Sequence, residues 1–406
     1  MTASERSRQL DLFRGIAAIL MVVNHAGYQL LGKVASHVGP QGGLVFAASA
    51  APALFFFATG VGTGLSGARA EALAGMVRKV LLLLLADAFM NWGGGSLIGF
   101  DFFGFAAVST AVLHGVKRGR RPAAAAAFLL ALVLVVRFAL APWLRASIAD
   151  EPALAFLTGI GFVDGVSYPL CPWLAFPLLG FLMGGAVRQR APAAPLCEPA
   201  GSAPARAPSR ERWLAAAVAA LGFAAAGAMA ARGAIVHRWG SVSLAYFLFA
   251  VAVVAAAWLV ASWLAAIDAP AARGLMLRGP ASLLIVPLHY AALGLLERFS
   301  GSDWGVPAWA LATALLVIAV LGAARRIVGF FSARASPRGG GAPLQAAALA
   351  LAAAAGLLAF FLAPPLLRLE TACAAEGVVA MVLLLSSRGG PPLKTGWPPT
   401  RPSRST

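Results

Sequence analysis

Charge is scarce in this sequence. Only 12% of its 406 residues are Asp, Glu, Lys or Arg, against about 25% in ordinary soluble domains, and that excludes a water-soluble globular chain. Acid is scarcer than base: 15 Asp and Glu face 32 Lys and Arg, a net charge of +17. Cysteine is nearly absent. Cys171, Cys197 and Cys373 are scattered without metal-ligand spacing, which excludes a disulfide framework or a metal cluster built on thiolates. There is no phosphate loop, because Gly93-Gly94-Gly95 has neither the lysine nor the flanking strand that such a loop needs. No internal repeat relates one half of the chain to the other, which counts against inverted-repeat transporter folds. The first apolar run lacks a small-residue cleavage site and is interrupted by Asn24 and His25, so it reads as an uncleaved span rather than a signal peptide.

What is present is apolar surface. Hydrophobic residues make up 60% of the chain and mean hydropathy is +0.82. Many runs approach the ~20 residues that cross a bilayer as helix. Spans are expected at about 10–31, 43–65, 77–92, 98–116, 122–143, 168–187, 213–231, 241–266, 279–297, 305–324 and 344–363. The stretch 144–167 is too polar and broken to cross. A weaker run from Gly377 to Ser387 makes a twelfth span if it begins near Glu370. The prediction is an all-α, polytopic transmembrane helix bundle of about 10–12 spans. Residues 1–330 form a ten-span membrane domain with a disordered cytoplasmic loop at about 189–211. Residues 331–387 add one or two spans, and 388–406 form a disordered basic tail. Both disordered segments are too rich in Pro, Ser, Ala or Gly to bury a core.

Basic residues fix the orientation. With the N-terminus cytoplasmic, the inner loops through Arg338 hold twenty Lys and Arg and the outer ones six. The positive-inside rule explains this bias and removes the need to invoke nucleic acid. The multi-pass chain is expected in a bacterial inner membrane.

The chemistry must come from a short list of intramembrane polar residues: Asp11, Arg14, Asn24, His25, Asp87, Asn91, Asp101, His114, Arg137 and His289. Ionisable groups in hydrocarbon cost a few kcal/mol or more and are functional candidates by default. Arg14 and His25 are eleven residues apart. That is about three turns plus 20°, so they share one helix face, roughly 16 Å apart along the axis. Arg14 is either a snorkelling anchor or a site for an anionic ligand, and Asp11, three residues earlier, shares its face. Burial favours the neutral form of His25, the form that acts as a base. His37 lies in an outer loop. His289 follows Pro287, which is expected to open a kink. Asp87 and Asp101 are the carboxylates best placed to orient a histidine, although Asp101 also suits a helix cap. His114, His237 and Arg137 are read as interfacial. Gly60, Gly62 and Gly64 read as an alternating set that permits close helix approach, not as a repeat at every fourth residue.

The segment Leu10-Asp11-Leu12-Phe13-Arg14-Gly15-Ile16-Ala17-Ala18, with Arg14 eleven residues before His25, resembles the acyltransferase-3 superfamily, including its heparan-alpha-glucosaminide N-acetyltransferase-like relatives. Similar stretches are Pro52 to Gly60, Phe100-Asp101-Phe102-Phe103-Gly104, Pro169-Leu170-Cys171-Pro172-Trp173, and Ser282 through His289. The resemblance implies acyl transfer from acyl-CoA, a co-substrate and not a bound cofactor, to a hydroxyl or amine acceptor such as a glycan sugar. It maps Arg14 and His25 onto the Arg and His of the superfamily, while the heparan-type relatives place their histidine nearer His37. His289 and Asp101 are the expected orienting groups, and Arg14 with Asp11 the expected donor-binding pair; no metal is expected. The alternatives are a transporter of a small anion or lipid-linked intermediate, and a non-catalytic scaffold.

Overall fold

The computed structural model describes residues 3–31, 36, 38–66, 73–96, 99–140, 143–145, 151–161, 165–189, 210–234, 242–267, 270–300, 304–334, 349–356, 361–362 and 365–386. The loop and tail expected to be disordered, His37 and His237 lie outside them, apart from the ends of the loop.

The described chain is a helix bundle without strands; its one β-type pairing is an isolated bridge between Phe100 and Val166. The principal helices are α1 (Ala3–Leu30), α2 (Gly39–Ala48), α3 (Ala51–Leu65), α4 (Leu73–Gly93), α5 (Phe102–Arg118), α6 (Pro122–Leu134), α7 (Ala175–Gln189), α8 (Arg210–Ala231), α9 (Leu244–Ala266), α10 (Ile285–Ser300), α11 (Val306–Arg334) and α12 (Pro365–Ser386).

Among the described residues, eight helical segments are long and apolar enough to cross a membrane. They contain α1, α2 with α3, α6, α7, α8, α9, α10 and α11. The third and fourth expected spans form α4 and α5, which pack against each other. They are weaker candidates because α4 carries Arg78, Lys79 and Asp87, and α5 is 17 residues long. Helix α12 begins at Pro365, ahead of the apolar run from Gly377, and takes in both Glu370 and Glu376.

Position in the bundle follows from which faces can be covered. Helix α1 touches α2, α3, α9, α10 and α11, and 72% of its most apolar window is buried, against 17% for the span containing α6 and 11% for that containing α8. Apolar residues all round suit the lipid-facing periphery: Phe128, Trp213, Leu214 and Leu221 are exposed.

Helices α3 and α7 are joined by glycine. A Cβ at Gly60 would lie 2.0 Å from the Pro177 carbonyl oxygen, and one at Gly64 2.4 Å from that of Phe181. From the other side, a Cβ at Gly180 would lie 2.1 Å from the Phe57 oxygen and one at Gly184 2.4 Å from that of Val61. Gly60 and Gly64 are themselves four residues apart and share a face, so the alternating reading is corrected. Gly62 faces elsewhere, toward the Arg14 guanidinium. Without a hydrophobic force between helices in lipid, such backbone approach is a main source of association.

Two joints shape the middle of the bundle. The break between α2 and α3 at Ser49–Ala50 is held by Tyr246 of α9, whose hydroxyl donates to the Ser49 carbonyl at 3.0 Å. Before α10 runs a 3₁₀ turn, Gly279–Leu284. Pro287 is thus the third residue of α10, in a first turn where no helical N–H is required. The change of geometry falls upstream of the proline, not at the kink expected there.

Candidate active site

Helices α1 and α10 meet through two imidazoles. His25 Nδ1 lies 2.6 Å from His289 Nε2. The ring planes are within 15° of parallel and the centroids 4.9 Å apart. Of that separation 2.6 Å is the nitrogen–nitrogen gap, and the remaining 2.3 Å is the two half-rings end to end. The rings are joined edge to edge, not stacked face on face.

The proton positions follow from the far end of the pair. His289 Nδ1 lies 2.7 Å from the Ile285 carbonyl oxygen. A carbonyl only accepts, so Nδ1 of His289 donates. In the uncharged ring Nε2 of His289 is then the acceptor, and His25 donates to it through its own Nδ1. Uncharged His25 therefore has its bare nitrogen at Nε2. One backbone oxygen sets the tautomer of two rings in series, the usual way in which the partner of one ring nitrogen decides the chemistry of the other. His289 is completely buried, while His25 is only partly so.

His25 opens on a cavity. Its walls include Asn24, Pro52, Asp101, Phe102, Tyr168 and Tyr290. The cavity has a volume of about 50 Å³, room for several waters or a small acyl group. Tyr290 Oη lies 3.4 Å from His25 Nε2. Asn24 Nδ2 donates to the Val45 carbonyl at 2.9 Å, which leaves its oxygen as the end able to accept. Phe56 packs on Phe102, Phe105, Tyr168 and Trp173, giving the cavity an aromatic flank.

Asp101 reaches this cavity because Asp87 holds the start of α5. Asp101 stands at the N-cap position, but its side chain makes no capping bond. The backbone N–H of Asp101 instead points at both carboxylate oxygens of Asp87, each at 3.2 Å, and Asn91 Nδ2 adds a contact to Asp87 at 3.3 Å. A carboxylate on a helix N-terminus is favourable. Here it comes from a neighbouring helix, and Asp101 lines the cavity. Phe100 is laced to the facing loop by its N–H to the Gly165 oxygen and its oxygen to the Ser167 N–H.

Arg14 is not part of the cavity wall. It donates to Asp11 at 3.0 Å near the start of the same helix. Beside them the Leu277 N–H donates to the Asp11 carbonyl at 3.0 Å. Gly15 lets the Leu275 backbone come close, since a Cβ there would lie 1.8 Å from the Leu275 oxygen. Arg278 is near enough to act on Asp11 electrostatically, Arg325 approaches Gly274, and Arg8 donates to the Ile267 oxygen at 3.2 Å. This end of α1 is a basic cluster with Asp11 embedded in it.

Two residues read as interfacial are buried. His114 lies inside α5's packed face, and Arg137, on a π-helical turn at Val135–Ala139, donates to the Val242 oxygen at 2.7 Å. Neither lines the cavity. Among the described residues no group of His, Cys, Asp and Glu has the arrangement of a metal site.

The family model for heparan-alpha-glucosaminide N-acetyltransferase, catalytic, matches residues 6–208, half of the chain. The chain belongs to that family. It is therefore a membrane acetyltransferase in the general sense, a transferase built on a helix bundle. The heparan-type branch of the resemblance, and not the acyltransferase-3 superfamily as such, is what the match supports. No curated protein and no solved structure matches the chain. The matched segment holds Arg14, Asn24, His25, Asp101 and Tyr168, while His289 and Tyr290 come from beyond it.

Reading the sequence did not single out Tyr290 or Tyr168, and left Asn24 without a role. Only Tyr290 carried a usable signal, by following His289 directly. The facing of Tyr168 depends on an irregular loop that has no periodicity to read.

Proposed function

We propose that this heparan-alpha-glucosaminide N-acetyltransferase family member is a multi-pass enzyme of the bacterial inner membrane. It moves an acetyl group from cytoplasmic acetyl-CoA to the amine or hydroxyl of an envelope-glycan sugar. The carrying observation is the 2.6 Å contact of His25 Nδ1 with His289 Nε2, at a cavity that His25 lines together with Asp101 and Tyr290.

The roles follow from position. The basic cluster around Arg14 attracts the phosphates of CoA. The cluster and His25 stand roughly 16 Å apart along one helix, a gap suited to the long flexible arm between the nucleotide of CoA and its thiol. At the cavity His25 Nε2 takes the proton of the acceptor as its nitrogen or oxygen attacks the thioester carbon. The carbon–sulfur bond then breaks, and His25 returns the proton to the departing thiolate. The ledger closes without any other reactant. His289 keeps the base in the correct tautomer while charge develops on the ring.

The test uses purified full-length protein with acetyl-CoA and glucosamine, following release of free thiol and acetylated sugar. Wild-type protein is expected to release thiol in step with product. General-base catalysis is worth about 10²–10⁴ in rate, so His25→Ala should lose activity on that scale while remaining folded in detergent. Wild-type activity in folded His25→Ala protein would falsify the assignment. A transporter would release no thiol at all.

A further inference from the structure

The tautomer chain also gives a task to Tyr290, a residue that neither the family match nor the motifs assign. In resting, uncharged His25, Nε2 only accepts. The contact at 3.4 Å from Tyr290 Oη is therefore a donation from the phenol to the ring. At that length it is weak, and it costs little to break. The phenol ring lies alongside His25, with centroids 4.8 Å apart, and contacts His289 at 4.3 Å, so the hydroxyl is held at the cavity by two imidazoles. Tyr290 itself lines that cavity.

We propose that Tyr290 is a catalytic residue whose hydroxyl hydrogen is parked on His25 at rest and turns to the thioester carbonyl oxygen during transfer. The proposal rests on the acetyl-transfer reading. When the acceptor gives its proton to His25, Nε2 acquires a hydrogen and stops accepting. The same event puts negative charge on the carbonyl oxygen, as the bond from acceptor to carbon forms and the C=O π electrons move to oxygen. Nε2 has a single lone pair, so the phenol hydrogen must turn off it as the acceptor's hydrogen comes in, and the developing oxyanion is the new acceptor to which it turns. A rotation about the Cζ–Oη bond redirects the donor, with no change in the number of bonded protons on Tyr290. When the carbon–sulfur bond breaks, the oxygen becomes a carbonyl again, His25 gives its proton to sulfur, and the phenol returns to Nε2. A donor engaged only in the transition state raises turnover without tightening the ground state.

The experiment compares Tyr290→Phe, Tyr290→Leu and wild type in the same thiol-release assay, with glucosamine as the acceptor probe. Tyr290→Phe keeps the ring and its packing and removes only the hydroxyl. Removing one such donor typically lowers turnover about 10²–10³-fold, so kcat should fall on that scale with KM for acetyl-CoA unchanged. Tyr290→Leu should fall at least as far. If Tyr290→Phe turns over at the wild-type rate while Tyr290→Leu is impaired, the residue serves only as packing and the proposal is overturned. If the loss in Tyr290→Phe is in KM and not in kcat, the transition-state role is overturned as well. A wild-type protein that releases no thiol would instead overturn the acetyl-transfer reading, and the proposal with it.

Discussion

Two helix contacts in this bundle solve the same problem by opposite means. Helices α3 and α7 are held by absence of side chains: four glycines bring backbone against backbone, with each missing Cβ standing within 2.4 Å of a carbonyl oxygen. Helices α1 and α10 are joined by two ionisable rings sharing one hydrogen bond of 2.6 Å. The first contact sets backbone on backbone and tolerates no added atom. The second brings polar groups into a low-dielectric interior, where an unmade bond costs more than in water. One supplies rigidity, and the other carries a chemical group that the rigid frame keeps in place.

The comparison can be broken from its structural side first. Gly180→Leu places a Cβ 2.1 Å from a backbone oxygen that cannot swing away. Overpacking typically costs about 1–3 kcal/mol and occasionally more, so the protein should melt far below wild type in detergent or fail to emerge as a single species. Gly62→Ala, on the face of α3 turned to α1 and away from the seam, meets only side-chain ends, Arg14 at 3.4 Å and Leu10 at 3.9 Å, and should change stability by no more than about 0.5 kcal/mol. Equal losses from the two substitutions would refute the glycine seam. The polar contact should show the converse pattern. His289→Ala leaves the base in place but frees its tautomer, so turnover should fall, though by less than for His25→Ala, with the melting temperature moving less than in Gly180→Leu. The smallest effect belongs to the support. Asp87→Asn keeps the shape but removes the charge that caps α5 from outside. A cost of about 1 kcal/mol in stability is expected, with a loss of turnover smaller than that of His289→Ala, since the backbone bonds of Phe100 to Gly165 and Ser167 still help to place Asp101.

Much of the frame was legible before any coordinate. The apolar runs place α1, α6, α7, α8, α9 and α11, because the length that crosses a bilayer and the cost of charge within it are properties of composition. The charges in α4 were equally visible in the sequence, but the span expected at about 98–116 forms the 17-residue α5, and how the two pack is a matter of tertiary structure. His25 and His289 stood out because a histidine in a span is rare, but 264 residues separate them and no spacing rule joins residues so far apart.

The sequence by itself determined that this is a helical membrane protein whose few buried ionisable side chains must matter, since hydrocarbon admits no other backbone solution than closed hydrogen bonding and penalises each charge it encloses. Only the tertiary structure decided which of those side chains act together. The Ile285 oxygen orders two rings, Asp87 caps a helix that is not its own, and Arg14 belongs to the basic end of α1 and not to the cavity. Each depends on an approach between distant segments to within hydrogen-bonding distance, and such approaches are set by three-dimensional packing, which no local period encodes.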